Sequence, residues 1–221
     1  MQEFSATSRR LGIVSAVTTA VLVAAYAVTL ALGLLSLASP EQPIGNPLFA
    51  ILEILIIVMM PAVVALMIAV HAWAPTQVRV LSLAGVVFMS LLAVVTCTLH
   101  FVILTLSRNP AFAGEAWQSL VISFRWPSVA YAVDIVGWDV FFPLSMLFAA
   151  GVFSGSRLAL WIRWMMVTSG VLAFTGLIGV VLGDMQWRNI GIVGYVPVFL
   201  VVALLLGVLF YRTAPVEVVF P

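Results

Sequence analysis

Five side chains that can gain or lose a proton lie inside otherwise apolar runs of this chain: Glu53, Asp134 and Asp139 among the acids, and His71 and His100 among the imidazoles. In a hydrocarbon setting an unpaired charge is expensive, so each of these groups needs a partner, water or a neutral form. Carboxylates and an imidazole within reach of one another can form a hydrogen-bonded network between helices, exchange protons, or anchor the polar end of a bound molecule. What they do depends on which elements carry them and at what depth.

Of the 221 residues, 64% are hydrophobic and only 8% are charged, and the mean hydropathy is +1.26. So few polar side chains cannot cover a water-soluble globule of this size, and lipid is the expected solvent. A hydrocarbon core about 30 Å thick requires roughly 20 apolar residues in a helix. Six segments meet that length, at residues 11–37, 48–73, 80–106, 128–153, 158–182 and 190–211. Turn and boundary residues separate them: Ser39-Pro40-Glu41-Gln42-Pro43, Ala74-Pro75-Thr76, Ser107-Arg108-Asn109-Pro110, Ser154-Gly155-Ser156 and Gly183-Asp184. The expected fold is an all-α polytopic bundle of about six spans forming a single membrane domain, residues 1–221. Arg9 and Arg10 before an apolar run resemble a secretory signal, but the run is too long for a signal core and is read as the first span, with no cleavage expected.

Arginine placement sets the expected orientation. With the N-terminus inside, Arg9, Arg10, Arg79, Arg157, Arg163 and Arg212 fall on the cytoplasmic side, and Arg108, Arg125 and Arg188 outside. Both termini are therefore expected in the cytoplasm. Between the third and fourth spans, Trp117, Leu120, Val121 and Phe124 recur at helical spacing beside the polar Glu115, Gln118 and Ser119, which predicts a short amphipathic helix on the outer surface over about 112–125. It serves as a connector or as a lid over a pocket.

Counted from the outer helix ends at about 1.5 Å per residue, Glu53, His100 and Asp134 each lie roughly 10 Å deep and Asp139 roughly 18 Å. Three groups on three helices thus share one level, and they are expected within direct or one-water reach of one another. Arg125, Asp184 and Arg188 stand at the helix ends above them, completing a polar, outward-facing crevice. Tyr131, Asp134 and Trp138 share one face of the fourth span, whereas Asp139 is turned about 140° from Asp134 at 100° per residue. The two aspartates are therefore not expected to enter the same narrow pocket. Thr96 shares a face with His100 and would supply a hydrogen-bond partner, and Met59-Met60-Pro61 marks a kink two turns from Glu53. Glycines 176, 179, 183, 191 and 194 read as close-packing positions.

Several chemistries are excluded or unsupported. All nine basic residues are arginines, so lysine Schiff-base chemistry with retinal or pyridoxal phosphate is absent. A net charge of +1 with dispersed cations provides no nucleic-acid surface. Cys97, the only cysteine, cannot form an internal disulfide and reads as a buried structural thiol. His100 with two carboxylates resembles a metal site in ligand type, but no HExxH, HxxE or second histidine accompanies it, so neither a metal nor a cofactor is expected. His71 and His100 lie near opposite ends of their helices, too far apart to share a haem; His71, close to Trp73, reads as interfacial. No GxSxG context marks a nucleophilic serine.

Gly137-Trp138-Asp139-Val140-Phe141-Phe142 and Arg188-Asn189-Ile190-Gly191-Ile192-Val193-Gly194-Tyr195 resemble a loosely defined family of uncharacterised bacterial multi-pass membrane proteins. The resemblance covers about the C-terminal half. It implies six helices in a bacterial inner membrane and transfers no activity.

Three functional readings remain, none of which decides whether the protein is an enzyme. The first is an outward-opening pocket that binds a small amphipathic or lipid-like molecule through Glu53, His100 and Asp134. The second is a proton-coupled transporter or channel subunit in which Asp139 extends the relay. The third is a structural subunit, as a homo-oligomer or within a membrane complex, whose polar groups only join helices. The apolar inner thirds of the second to fifth spans favour a dead-end pocket over a through path.

Overall fold

The computed structural model describes residues 4–39, 42–107, 109–112 and 114–215. Pro40, Glu41 and Arg108, which entered the boundary and orientation arguments, lie outside the described residues. The described chain is all-helical, and six helices are long and apolar enough to cross a membrane: Ala6–Leu35, Leu48–Trp73, Thr76–Leu106, Val129–Ala150, Arg157–Leu182 and Met185–Arg212. It is a multi-pass membrane protein. The six expected segments match these spans, with the first beginning earlier because the Ser5 side chain caps it, accepting from the Ser8 amide at 3.1 Å.

The spans pack in sequence order around a ring, and the sixth closes against the first. At the closing seam Arg9 donates to the carbonyls of Phe210 and Tyr211, so the start of the first span and the end of the sixth share one end of the bundle. We call this the terminal end and its opposite the long-loop end. Exposed Val14, Val17, Val21, Val28 and Leu32 on the first span face outward, as a lipid-contacting surface requires. Exposed Trp161, Trp164 and Tyr211 stand near the terminal end, and Trp117, Trp126 and Trp187 near the long-loop end. Two such aromatic belts suit the two faces of a bilayer.

Prolines shape the ring. Pro61 lies within the second span and lacks the amide that would bond the Ile57 carbonyl. The Cys97 thiol from the third span donates to that carbonyl at 3.7 Å, which gives the lone cysteine a structural role. The fourth and sixth spans each contain a π-helical turn, Val136–Phe141 and Gly194–Val198, lying just before Pro143 and around Pro197 respectively. There the Phe142 and Phe199 amides bond carbonyls five residues back, Gly137 and Gly194. Gly194 also lets the fifth span approach closely: Ser169 donates to its carbonyl at 2.9 Å, and a Cβ on Gly194 would lie 2.7 Å from the Ser169 carbonyl oxygen.

The helix between the third and fourth spans is shorter than the sequence predicts. Only Ala116–Val121 is α-helical, preceded by a 3-10 turn at Pro110–Phe112. Phe124 falls beyond it and turns inward.

Candidate functional site

Glu53 sits a little over one turn into the second span, His100 a similar distance from the end of the third, and Asp134 at the same level of the fourth. All three are buried. Glu53 Oε2 lies 2.8 Å from His100 Nδ1, and His100 Nε2 lies 3.4 Å from Asp134 Oδ1. The shared level inferred from helix depth thus becomes a continuous chain of contacts. Each ring nitrogen faces a carboxylate, so both bonds form when both nitrogens carry hydrogen, or when one carboxyl keeps its proton.

Arg188 extends the chain. Its guanidinium donates from Nη2 to Asp134 Oδ2 at 2.5 Å and from Nε to Asp139 Oδ2 at 2.9 Å. The side chain is buried, whereas its position at a helix end had suggested the rim of a crevice. Gly183, in the left-handed region at φ +69°, ends the fifth span, and the Asp184 carboxylate caps the next turn by accepting from the Gln186 amide. That tight reversal allows Arg188 to descend beside the fourth span, where it lies 4.7 Å from the centre of the Tyr131 ring.

Both aspartates therefore face the same guanidinium, although only Asp134 lines the cavity beside it. They converge because of the π-helical turn at Val136–Phe141. Bonding from i to i+5 brings residues five apart toward one face, and Asp134 and Asp139 are five apart. Pro143 was the available signal, because a proline within a helix disturbs the carbonyl four residues earlier, here that of Asp139.

Asp139 is fully buried. Its second oxygen, Oδ1, has no hydrogen-bond partner among the described residues. A Cβ on Gly176 or Gly191 would collide with it, so these glycines make room for a carboxylate as well as for helix packing. Trp138 Nε1 and Thr96 Oγ1 are likewise buried without partners. Thr96 thus does not join the acids, although it shares the face of His100.

Beside the network lies a cavity of about 320 Å³. Glu53, His100, Asp134 and Arg188 form one wall. The first span lines it through Val23, Tyr26, Leu30 and Leu34, which recur every three or four residues, with Leu37 just past the end of that helix. Tyr131, Trp138 and Tyr195 also line it, with Trp138 and Tyr195 packed at a centroid distance of 5.0 Å. Phe124 covers the imidazole at 5.6 Å. Tyr26 and Tyr195 were not singled out in the sequence, since an isolated tyrosine in a span carries no positional signal.

Arg125 and Asp184 do not enter the network. Arg125 is exposed and borders a neighbouring depression with Gln118, Ser119 and Ser123, and Asp184 serves its own turn. His71 lies near the terminal end, bonded through Nδ1 to Ser82 Oγ at 2.9 Å. Among the described residues no set of three His, Cys, Asp or Glu side chains could hold a metal ion; both nitrogens of His100 are already engaged by carboxylates.

No family model, curated protein or solved structure matches the chain.

Proposed function

We propose that this protein binds a small amphipathic or lipid-like molecule in the cavity beside Glu53, His100, Asp134 and Arg188. The observation that carries this reading is the contrast between the cavity's walls: a buried polar network opposite an apolar face of the first span. A site of this size with a few converging polar groups is the usual form of a small-molecule pocket. The polar end of the molecule would meet the network, and its apolar portion would run along Leu30, Leu34 and Leu37. In this reading the chain is a single domain of a bacterial inner membrane, with both termini cytoplasmic and the cavity open toward the outer leaflet. The arginine distribution supports that orientation.

A proton-coupled transporter or channel subunit is the second reading. The unbroken sequence of contacts from Glu53 to Asp139 favours it. Against it stand Met60, Met67, Met89, Phe142, Met146 and Met166, buried in the terminal half where a through path would need water or polar groups. A purely structural role explains the network but not the unfilled volume beside it.

Ile56 lines the cavity without touching the ionic chain through a polar atom. The variant Ile56→Trp, assayed by calorimetric titration of 1-decanol into detergent-solubilised protein, should weaken binding at least tenfold and retain a cooperative thermal transition. Unchanged affinity in a folded variant would refute the cavity as the binding site.

A further inference from the structure

The network itself discriminates among head groups, and this inference rests on the cavity being a binding site. Three carboxylates, Glu53, Asp134 and Asp139, face one guanidinium and one imidazole. If His100 donates from both nitrogens, three negative charges meet two positive ones. If His100 is neutral and a neighbouring carboxyl holds the proton, two negative charges meet one. In both arrangements the sum is one negative charge.

The distribution matters as much as the sum. Arg188, the only permanent cation among the described residues of the cavity wall, is already held by two carboxylates. An anionic head group would have to displace one of them and leave that carboxylate buried without its partner, a costly exchange. Glu53 is in the opposite situation. It is 4% exposed and lines the cavity, and its one side-chain hydrogen bond among the described residues is made by Oε2, to His100, which leaves Oε1 for a ligand. A buried carboxylate oxygen open to a cavity is an acceptor awaiting a donor. The same cavity is lined by the rings of Tyr26, Phe49, Phe124 and Trp138, and aromatic faces attract cations.

We infer that the cavity selects an amphiphile with a cationic, hydrogen-bond-donating head group of the ammonium type, whose N–H donates to Glu53 Oε1 while its chain lies along the first span.

The test uses three probes with the same ten-carbon chain, decylammonium, 1-decanol and decanoate, titrated calorimetrically into the full-length protein in a neutral maltoside detergent. Free protein-independent partitioning is subtracted by titrating the detergent alone. The expected order of affinity is decylammonium, then decanol, then decanoate, with at least a tenfold gap between the first and last. In Glu53→Gln, decylammonium should lose severalfold more affinity than decanol, so that the preference between the two falls by that factor. Equal affinities, or decanoate binding tightest, would overturn the head-group inference and leave the binding cavity standing. Failure of all three probes to bind would instead overturn the proposed function. The wild-type ranking decides the matter even if Glu53→Gln does not fold.

Discussion

In the terminal half of the bundle, Met60, Met67, Met89, Phe142, Met146 and Met166 fill the centre with flexible and aromatic side chains that need no hydrogen-bond partner. At the long-loop half, the same six helices enclose the linked side chains of Glu53, His100, Asp134, Asp139 and Arg188 and a cavity of about 320 Å³. Apolar packing alone suffices to associate helices in lipid, so the polar half is not needed to close the ring. Buried polar groups in lipid are costly to retain. The difference teaches that groups able to do chemistry are gathered at one depth, and substitutions in the two halves should act differently: loss of a charge partner in one, loss of packing alone in the other.

The largest effect is expected at Arg188, where Arg188→Leu leaves Asp134 and Asp139 buried without their cation. Breaking one side of a buried pair costs about 3–5 kcal/mol, so thermal unfolding in detergent should move sharply downward. Adding Asp134→Asn and Asp139→Asn to that variant should recover part of the loss. An Arg188→Leu protein as stable as the parent would remove the network from any structural role.

Met146→Ala in the terminal half is expected to cost about 2–5 kcal/mol through the void it leaves, again read by thermal unfolding. Amphiphile affinity should stay within about twofold of the parent, since the site lies at the other end. A tenfold loss of affinity would show that the halves are coupled.

Gly191→Ala probes the seam between them. Its new Cβ would lie 2.7 Å from Asp139 Oδ1, so the carboxylate must shift relative to Arg188. Forcing a methyl into such a close-packed position costs about 1–3 kcal/mol. An unshifted melting temperature would mean that Asp139 yields freely and is not held by its glycine cradle.

Asp134→Asn should have the smallest effect on stability, about 1 kcal/mol or less, because membrane helix hydrogen bonds average in that range. The amide can still accept from Arg188 through Oδ1, and its Nδ2 can donate to Nε2 of a neutral His100. Binding of decylammonium should nevertheless weaken, since one negative charge is gone. A large destabilisation with unchanged binding would favour the structural-subunit reading over both functional ones.

Much of this division is legible in the sequence. Helix length and rise were enough to set Glu53, His100 and Asp134 at one depth, and the cost of isolating any of them implied that they meet. What escaped depended on local backbone irregularity. The guanidinium that Asp139 shares with Asp134 was missed because 100° per residue was carried through a stretch that is π-helical. Arg188 was assigned to a rim because a helix end was equated with the surface, although the reversal at Gly183 turns its side chain inward. Arg125 and Asp184 shared that level in the count but lie outside the network. The first span carries no charge within its membrane core, so its contribution of the apolar wall emerged only from which helices close the ring.

The most direct measurement is an experimental density map of the protein in lipid nanodiscs prepared with 1-decanol. Elongated density should lie along Val23, Leu30 and Leu34, with its polar end within hydrogen-bond distance of the network beside Glu53. A cavity that holds only water, or one closed by inward rotation of the first span's side chains, would contradict the assignment of this half of the bundle to binding.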